Sequence, residues 1–536
     1  MTQIDLALVS GRVRTLDDAR PTATAIAIAD GKIVAVGDDA EIRALVGDGT
    51  EVVELGGAAV VPGLIDSHMH PFMGAEQARG ADLLGVTSLD EVRRLIAAEA
   101  ERCAPGEWVL GFGLGYDVFG EAGVRGDVLV EATGGAPGFF LMMDLHTAVA
   151  TPKALEIAGV DGPREFAEQA EIVCDADGTP TGELREWPAV DIVRDAMPPL
   201  DDAGRRKLYV DHLRRLATLG ITTTHAMDGS PATHDTLRDL EAGGDLVTRI
   251  IAPLWIHPDT PREEWEALAA HRDGHGRRWR GGVAKFFIDG VIDSGTAWLF
   301  EPDTGGDGTA PFWPDPQLYR DAVKFFSNAG FQCVTHACGD RAVHEALEAY
   351  REAGPRPAGV AQHRIEHVET IQPDDLPRFA AEGVTASMQT QHMMDLAPDR
   401  SDNWSRRLGD DRCDRAFRTR ELLESGALVT LGSDWPVARC DAREGLASAR
   451  LRANPHEPGR APYDDQALTG LQALRGYTVD AARATADEDR RGVLRAGLDA
   501  DIAVFAHDPA DVPAEELLAD EVLLTIVDGE VVHRAL

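Results

Sequence analysis

The sequence predicts an α/β protein: a (β/α)8 barrel, with a small β-sandwich made by the two chain ends and an insertion after the first barrel strand. Three observations predict it. Eight apolar segments with strand character alternate with amphipathic stretches across the middle of the 536-residue chain. Those segments finish in ionisable residues, as barrel strands do where a site lies at their carboxyl ends. Both chain ends carry short alternating segments separated by turn signals.

At the amino end, IDLALVSGRVRTLDD, ATAIAIADGKIVAVGDD and TEVVELGGAAVVPG read as short antiparallel strands. GLDADIAVFAHD and EVLLTIVDGEVVHRAL return to that pattern, so residues 1–60 and 485–536 are expected to pair into one discontinuous sandwich domain. The barrel is expected over residues 61–484, from AVVPGLIDSHMH, ITTTHAM, VTRIIAPLWIH, GVAKFFIDG, FQCVTHACG, HRIEHVE, VTASMQT and LVTLGSDWP. Residues 75–205 hold strand-like pieces of their own, EWVLGFGLGYD and GGAPGFFLMMDLHTAV, and the hairpin-like EIVCDADGTPTGELRE. Inserted at that end of a barrel, they are placed to act as a lid or substrate wall.

A formal net charge of −39 argues against a nucleic-acid or anionic-membrane partner and leaves a small-molecule substrate. No apolar run approaches the roughly 20 residues of a membrane span. MTQIDLALVSGRV lacks the basic-then-apolar order of a secretory signal, so a cytoplasmic location is expected. The cysteines, at 103, 174, 333, 338, 413 and 440, make no disulfide framework. With only five lysines in the chain (Lys32, Lys153, Lys207, Lys285, Lys324), one inside an apolar strand stands out, and Lys285 is so placed.

In VVPGLIDSHMHP, strand alternation turns Asp66, His68 and His70 to one face, which lets one strand offer two imidazoles to one metal. His336 and His367 end the fifth and sixth strands and Asp434 the eighth, completing a nitrogen and oxygen donor set suited to zinc or a similar divalent ion. Lys285 ends up among them from the fourth strand. A free ammonium is a poor neighbour for a cation, so either no metal binds or the lysine is modified.

VPGLIDSHMHP, KFFIDG, THACGDRA, RIEHVE and LGSDWPV together resemble the amidohydrolase superfamily, nearest to its amidohydrolase-3 branch of YtcJ-like proteins and N-substituted formamide deformylases. The resemblance covers nearly the whole chain, with GVLRAGLDADIAVF matching the family's returning strand segment. It implies two divalent metal ions, zinc first among them, bridged by Lys285 after carbamylation with CO2. By the same resemblance His68, His70 and Asp434 hold the more buried ion, and His336 with His367 the more exposed one. A bridging hydroxide forms near neutral pH, and Asp434 takes its proton and passes it to the departing amine.

Asp289 shares parity with Lys285 and is placed either to face the substrate or to serve as a turn residue before Gly290. Gln389 and His392 match the family, although Thr390 stands where members commonly have proline. His392 is expected to bind substrate or steady a developing oxyanion. His146, in DLHTA, stands where the family has a histidine near the pocket. Asp66 reads as structural, His225 as pocket-lining, His257 as a loop residue, and His344 and His363 as packing residues. Arg364 and Glu366, opposite in parity to His367, are expected to face the helices. Trp108, Tyr116, Phe119, Trp187, Trp298, Phe300 and Trp313 are expected to wall a pocket or pack the lid.

The expected activity is metal-dependent hydrolysis of a carbon–nitrogen bond in an amide, with an N-substituted formamide suggested by resemblance. A deaminase, a cyclic amidase, an esterase or lactonase on the same barrel, and a noncatalytic scaffold relative are the alternatives. The scaffold reading is disfavoured because relatives that lost catalysis lost ligands, and this sequence keeps them. Resemblance also suggests a homodimer.

Overall fold

The computed structural model describes residues 3–166, 170–457 and 459–536. Its centre is one sheet of eight parallel strands: β1 (Leu64–Met69), β2 (Ile221–Ala226), β3 (Arg249–Trp255), β4 (Trp279–Phe287), β5 (Gln332–Ala337), β6 (Arg364–His367), β7 (Thr385–Met388) and β8 (Val429–Leu431). They neighbour one another in chain order. All eight expected segments are therefore strands of one nearly closed barrel.

Past the end of β8 the chain meets β1. Asp434 N donates to His68 O at 2.7 Å, and His70 N donates to Trp435 O at 2.9 Å. Gly432 makes that approach possible, because a Cβ there would lie 2.5 Å from His68 N.

Alternation sorts the strand side chains. Ile250, Ala252 and Leu254 of β3, Phe286 of β4 and Ile365 of β6 face outward into the shell shared with the helices. Met227, Ile251, Val283 and Val334 form a small inner cluster. The helix Pro316–Asn328 shows how the shell is covered: Asp315 caps it by accepting from Gln317 N, and Tyr319, Ala322, Val323 and Phe326 are buried. Truncating one such aromatic, Phe326→Ala, would cost about 3–5 kcal/mol.

The chain ends form two stacked sheets. One holds Leu6–Val9, Ala25–Ala29, Lys32–Gly37 and Glu51–Glu54; the other joins Arg12–Arg14, Thr22–Ala23 and Ala59–Pro62 to Ile502–Phe505, Val522–Val527 and Glu530–Arg534. Leu6, Leu8, Ile26 and Ile28 of the first meet Val60, Ile502, Val504 and Ile526 of the second in one core. Arg249, at the start of β3, ties this unit to the barrel through Asp501 (2.8 Å) and Asp528 (2.9 Å).

The insertion folds as a six-stranded mixed sheet. In its strand Gly138–Met142, Phe140 and Met142 join a core on one face, and Phe139 and Leu141 a core on the other. Among the described residues no helix is long and apolar enough to cross a membrane.

Candidate metal centre

The carboxyl ends of the strands open into a cavity lined by His68, His70, His336, His367, His392 and Asp434 from the barrel, and by His146 from the insertion. Alternation alone brings His68 and His336 inward. His367 arrives differently: Arg364 and Glu366 occupy the inward positions of β6, and a left-handed backbone at His367 (φ 73°) and Val368 (φ 48°) swings the imidazole in after them. Asp434 likewise has φ 57°.

The expectation that Arg364 and Glu366 face the helices is thereby corrected. Both are buried inside the barrel beneath the cavity, where Glu366 Oε2 stands 2.6 Å from His68 Nδ1. Arg364 donates to Glu366 (3.0 Å), to Ser67 O (2.6 Å) and to Ser387 Oγ (3.0 Å), and contacts His225 Nδ1 at 2.8 Å. Burial works against a charge on Glu366, but Arg364 and then His68 outweigh it and hold its carboxyl well below the usual range. Glu366 thus fixes the Nδ1 side of the His68 ring, and the other ring nitrogen, Nε2, is the one that faces Asp434.

Asp434 is the hub. Its Oδ1 lies 3.2 Å from His68 Nε2 and 3.2 Å from His70 Nε2; its Oδ2 lies 3.4 Å from His392 Nε2 and 3.9 Å from His367 Nδ1. Burial pushes its carboxyl up, but the neighbouring imidazoles, His68 foremost, keep it well below normal. His70 is backed by Asp228, 3.5 Å from Nδ1. Burial lowers His70, yet Asp228 and Asp434 outweigh it and lift it to about 9. The His336 and His367 rings stand 4.4 Å apart, and burial holds both well below an ordinary imidazole. His336 Nε2 faces Gly290 O at 3.0 Å, which leaves Nδ1 available.

Lys285 is fully buried with Nζ 4.6 Å from the centroid of Phe287, and burial lowers it to about 8. Lys285 Nζ, His367 Nδ1 and Asp434 Oδ1 are all buried without a hydrogen-bond partner. Three such atoms in one barrel mouth are costly unless something else binds them. The donor set suits a divalent cation: one donor atom each from His68, His367 and Asp434 lie within 4.8 Å of one another, and so do those of His336, Cys338 and His367.

Two expected substrate contacts take other parts. Asp289 does not line the cavity; its carboxylate accepts from Trp298 N (2.8 Å), Cys338 N (3.1 Å) and Gly339 N (2.8 Å), pinning the loops after β4 and β5. Gln389 accepts from His367 N at 2.9 Å and so positions that residue from behind. His225 lies beneath the cavity against Arg364, not in its lining. Asp66 accepts from His68 N (3.0 Å) and Ser433 N (3.1 Å), stitching the two ends of the sheet.

His392, on the turn that Thr390 begins, and His146 do face the cavity. Glu186 stands 2.9 Å from His146 Nδ1, and its charge overcomes the effect of burial to lift His146 to about 9. Of the named aromatics, Tyr116 and Trp187 line the cavity, while Trp108, Phe119, Trp298, Phe300 and Trp313 lie outside it. Sequence reasoning missed Asp228, Glu186, Glu369 and Asp293. Asp228, Glu369 and Glu186 carry the signal used elsewhere, a carboxylate just past a strand, in ITTTHAMD, HRIEHVE and GELRE; Asp293 sits in a loop with no periodic pattern.

A parallel barrel that gathers imidazoles, a lysine and a carboxylate at its carboxyl ends defines the class of metal-dependent hydrolases. The family model described as "Amidohydrolase family" matches residues 51–533, and the chain belongs to that family, as its motifs had suggested. It is 30% identical to Protein LONG AFTER FAR-RED 3 of Arabidopsis thaliana, over 98% of this chain and 91% of that one. It is 27% identical to the putative amidohydrolase YtcJ of Bacillus subtilis (98% of each chain) and 26% identical to the N-substituted formamide deformylase of Arthrobacter pascens (99% and 98%). A solved metal-dependent hydrolase from Pyrococcus horikoshii shares the fold with a TM-score of 0.73 at 24% identity, over 95% of this chain and 99% of that one.

Proposed function

We propose that the chain hydrolyses a carbon–nitrogen bond of an amide, with N-substituted formamides as the first substrate class. The observation that carries this reading is the meeting of Lys285, His367 and Asp434 at the barrel mouth with buried donor atoms left unbonded. His68, His70 and Asp434 would hold one divalent ion and His336 with His367 a second, with Lys285 joining both once carbamylated by CO2. Its lowering to about 8 leaves part of the amine neutral, and so nucleophilic toward CO2, near neutral pH. The imidazole and carboxylate donors favour zinc. Bound there, the ions would lower the pKa of a coordinated water and polarise the substrate carbonyl.

The chain's own residues would do the rest. Asp434, kept ionised by its imidazole neighbours, is the proton acceptor and hands the proton to the leaving amine. His392 beside Asp434 and the Glu186-backed His146 are positioned to donate to the carbonyl oxygen as charge develops. The deformylase relative directs the substrate search to formamides.

The test is metal content per chain for the wild type and Lys285→Ala, purified without chelator. About two ions, falling to one or none in the variant, support the bridged site. Absence of specific metal from the wild type would overturn it. A formamide screen then separates reactions: formate release supports the amidase, whereas ammonia from an amino-substituted ring would mark a deaminase.

A further inference from the structure

β5 ends with the same device as β1. His68 and His70 stand two residues apart across the end of β1, and His336 and Cys338 stand two apart across the end of β5, so alternation turns both members of each pair to the cavity. Cys338 is 1% exposed, and its Sγ lies 3.5 Å from His336 Nε2. That nitrogen also faces Gly290 O at 3.0 Å; a carbonyl only accepts, so Nε2 carries the hydrogen and offers the thiol no lone pair. Cys338 Sγ has no other hydrogen-bond contact among the described residues.

The backbone fixes the sulfur where it is. Cys338 N donates to Asp289 Oδ1 at 3.1 Å, and Cys338 O accepts from Thr370 N at 3.1 Å. Independently of the cysteine, His367, 3% exposed, holds Nδ1 in the same cavity with no hydrogen-bond partner. One donor atom each from His336, Cys338 and His367 lie within 4.8 Å of one another, close enough to share one ion. The other cysteines take no part. Cys103, Cys174, Cys333, Cys413 and Cys440 do not line the cavity, and Cys333 Sγ turns outward to Val323 O at 3.6 Å.

We propose that Cys338 is a third protein donor to the ion assigned above to His336 and His367, binding it as the thiolate. The sulfur forms its bond to the metal as the S–H bond breaks, and the proton leaves to solvent. The inference rests on the two-ion reading of the site. Its consequence is metal selectivity: two imidazoles and a thiolate favour zinc over magnesium and manganese, which prefer oxygen donors.

Absorption spectra of the protein, stripped by a chelator and reloaded stepwise with cobalt(II), test this without turnover. Visible bands report cobalt bound by any donor, whereas a thiolate ligand adds a sulfur-to-metal charge-transfer band in the near ultraviolet. The expected result is that band in the wild type, and its loss in Cys338→Ser with the visible bands retained. Visible bands without the charge-transfer band overturn the proposal and leave the two-ion site standing; Cys338 then only fills space beside Ile292, Leu299 and Met393. A charge-transfer band that survives the substitution belongs to another cysteine and overturns it as well. No cobalt uptake at all removes the two-ion reading, and the proposal with it. If Cys338→Ser fails to fold, Cys338→Ala takes its place, and the wild-type spectrum decides in either case, since no other cysteine among the described residues lines the cavity.

Discussion

Glu366 Oε2 stands 2.6 Å from His68 Nδ1, so a carboxylate anchored by Arg364 beneath the cavity decides which nitrogen of His68 faces Asp434. The pair lies on β6 and β1, strands far apart in the sequence, and it makes the floor of the barrel part of the site above it.

Glu366→Gln should therefore weaken metal retention by about 10- to 100-fold, because the neutral amide no longer holds His68 in one tautomer. Competition with a chromogenic chelator measures this directly. Retention equal to the wild type would show that Glu366 only neutralises Arg364.

Asp289→Ala should destabilise the fold by about 3 kcal/mol by leaving three buried N–H groups unpaired. A urea midpoint that falls without a change in slope would show it. An unchanged midpoint with weaker substrate binding would restore Asp289 to the substrate site.

His146 should titrate near 9 and drop toward an ordinary imidazole in Glu186→Gln, since Glu186 supplies the largest opposition to burial. Because its folded pKa is raised, the stability it contributes is present below the unfolded value, near 6.5, and is lost as pH rises through about 9. Imidazole resonances followed by NMR across that window test both statements.

Acid should loosen the contact between the terminal sandwich and the barrel. Burial pushes Asp499 up, but Lys32 and then Arg249 outweigh it; burial pushes Asp528 up, but Arg249 and Arg277 outweigh that. Folded pKa values below normal mean stability that is present above the unfolded value, about 3.9, and lost as pH falls through the folded values. Urea midpoints measured from neutral to acid pH should fall in that range. Arg249→Met should lower stability by about 3–5 kcal/mol already at neutral pH by stranding its carboxylate partners.

Much of the architecture was legible in the chain because strand and helix periodicities are local: all eight barrel segments, the returning strands at both ends and the inserted sheet could be read from apolar spacing and turn residues. The donor residues were legible for a related reason, since His68 and His70, two apart on a strand, share a face wherever that strand goes. What failed was local geometry that breaks its own period. Two left-handed residues at the end of β6 put Glu366 and His367 inside together, and alternation cannot express that.

By itself, then, the sequence determined the barrel, its strand order and the types of side chain that end its strands, because hydrophobic period and β-propensity act over a few residues. The tertiary structure alone decided that Glu366 supports His68, that Asp289 and Gln389 brace backbone, and that Glu369 meets Trp404 and His392 at one wall of the cavity. Those roles depend on distances between segments far apart in the chain, set by how the nearly closed barrel sheet and the inserted six-stranded sheet pack.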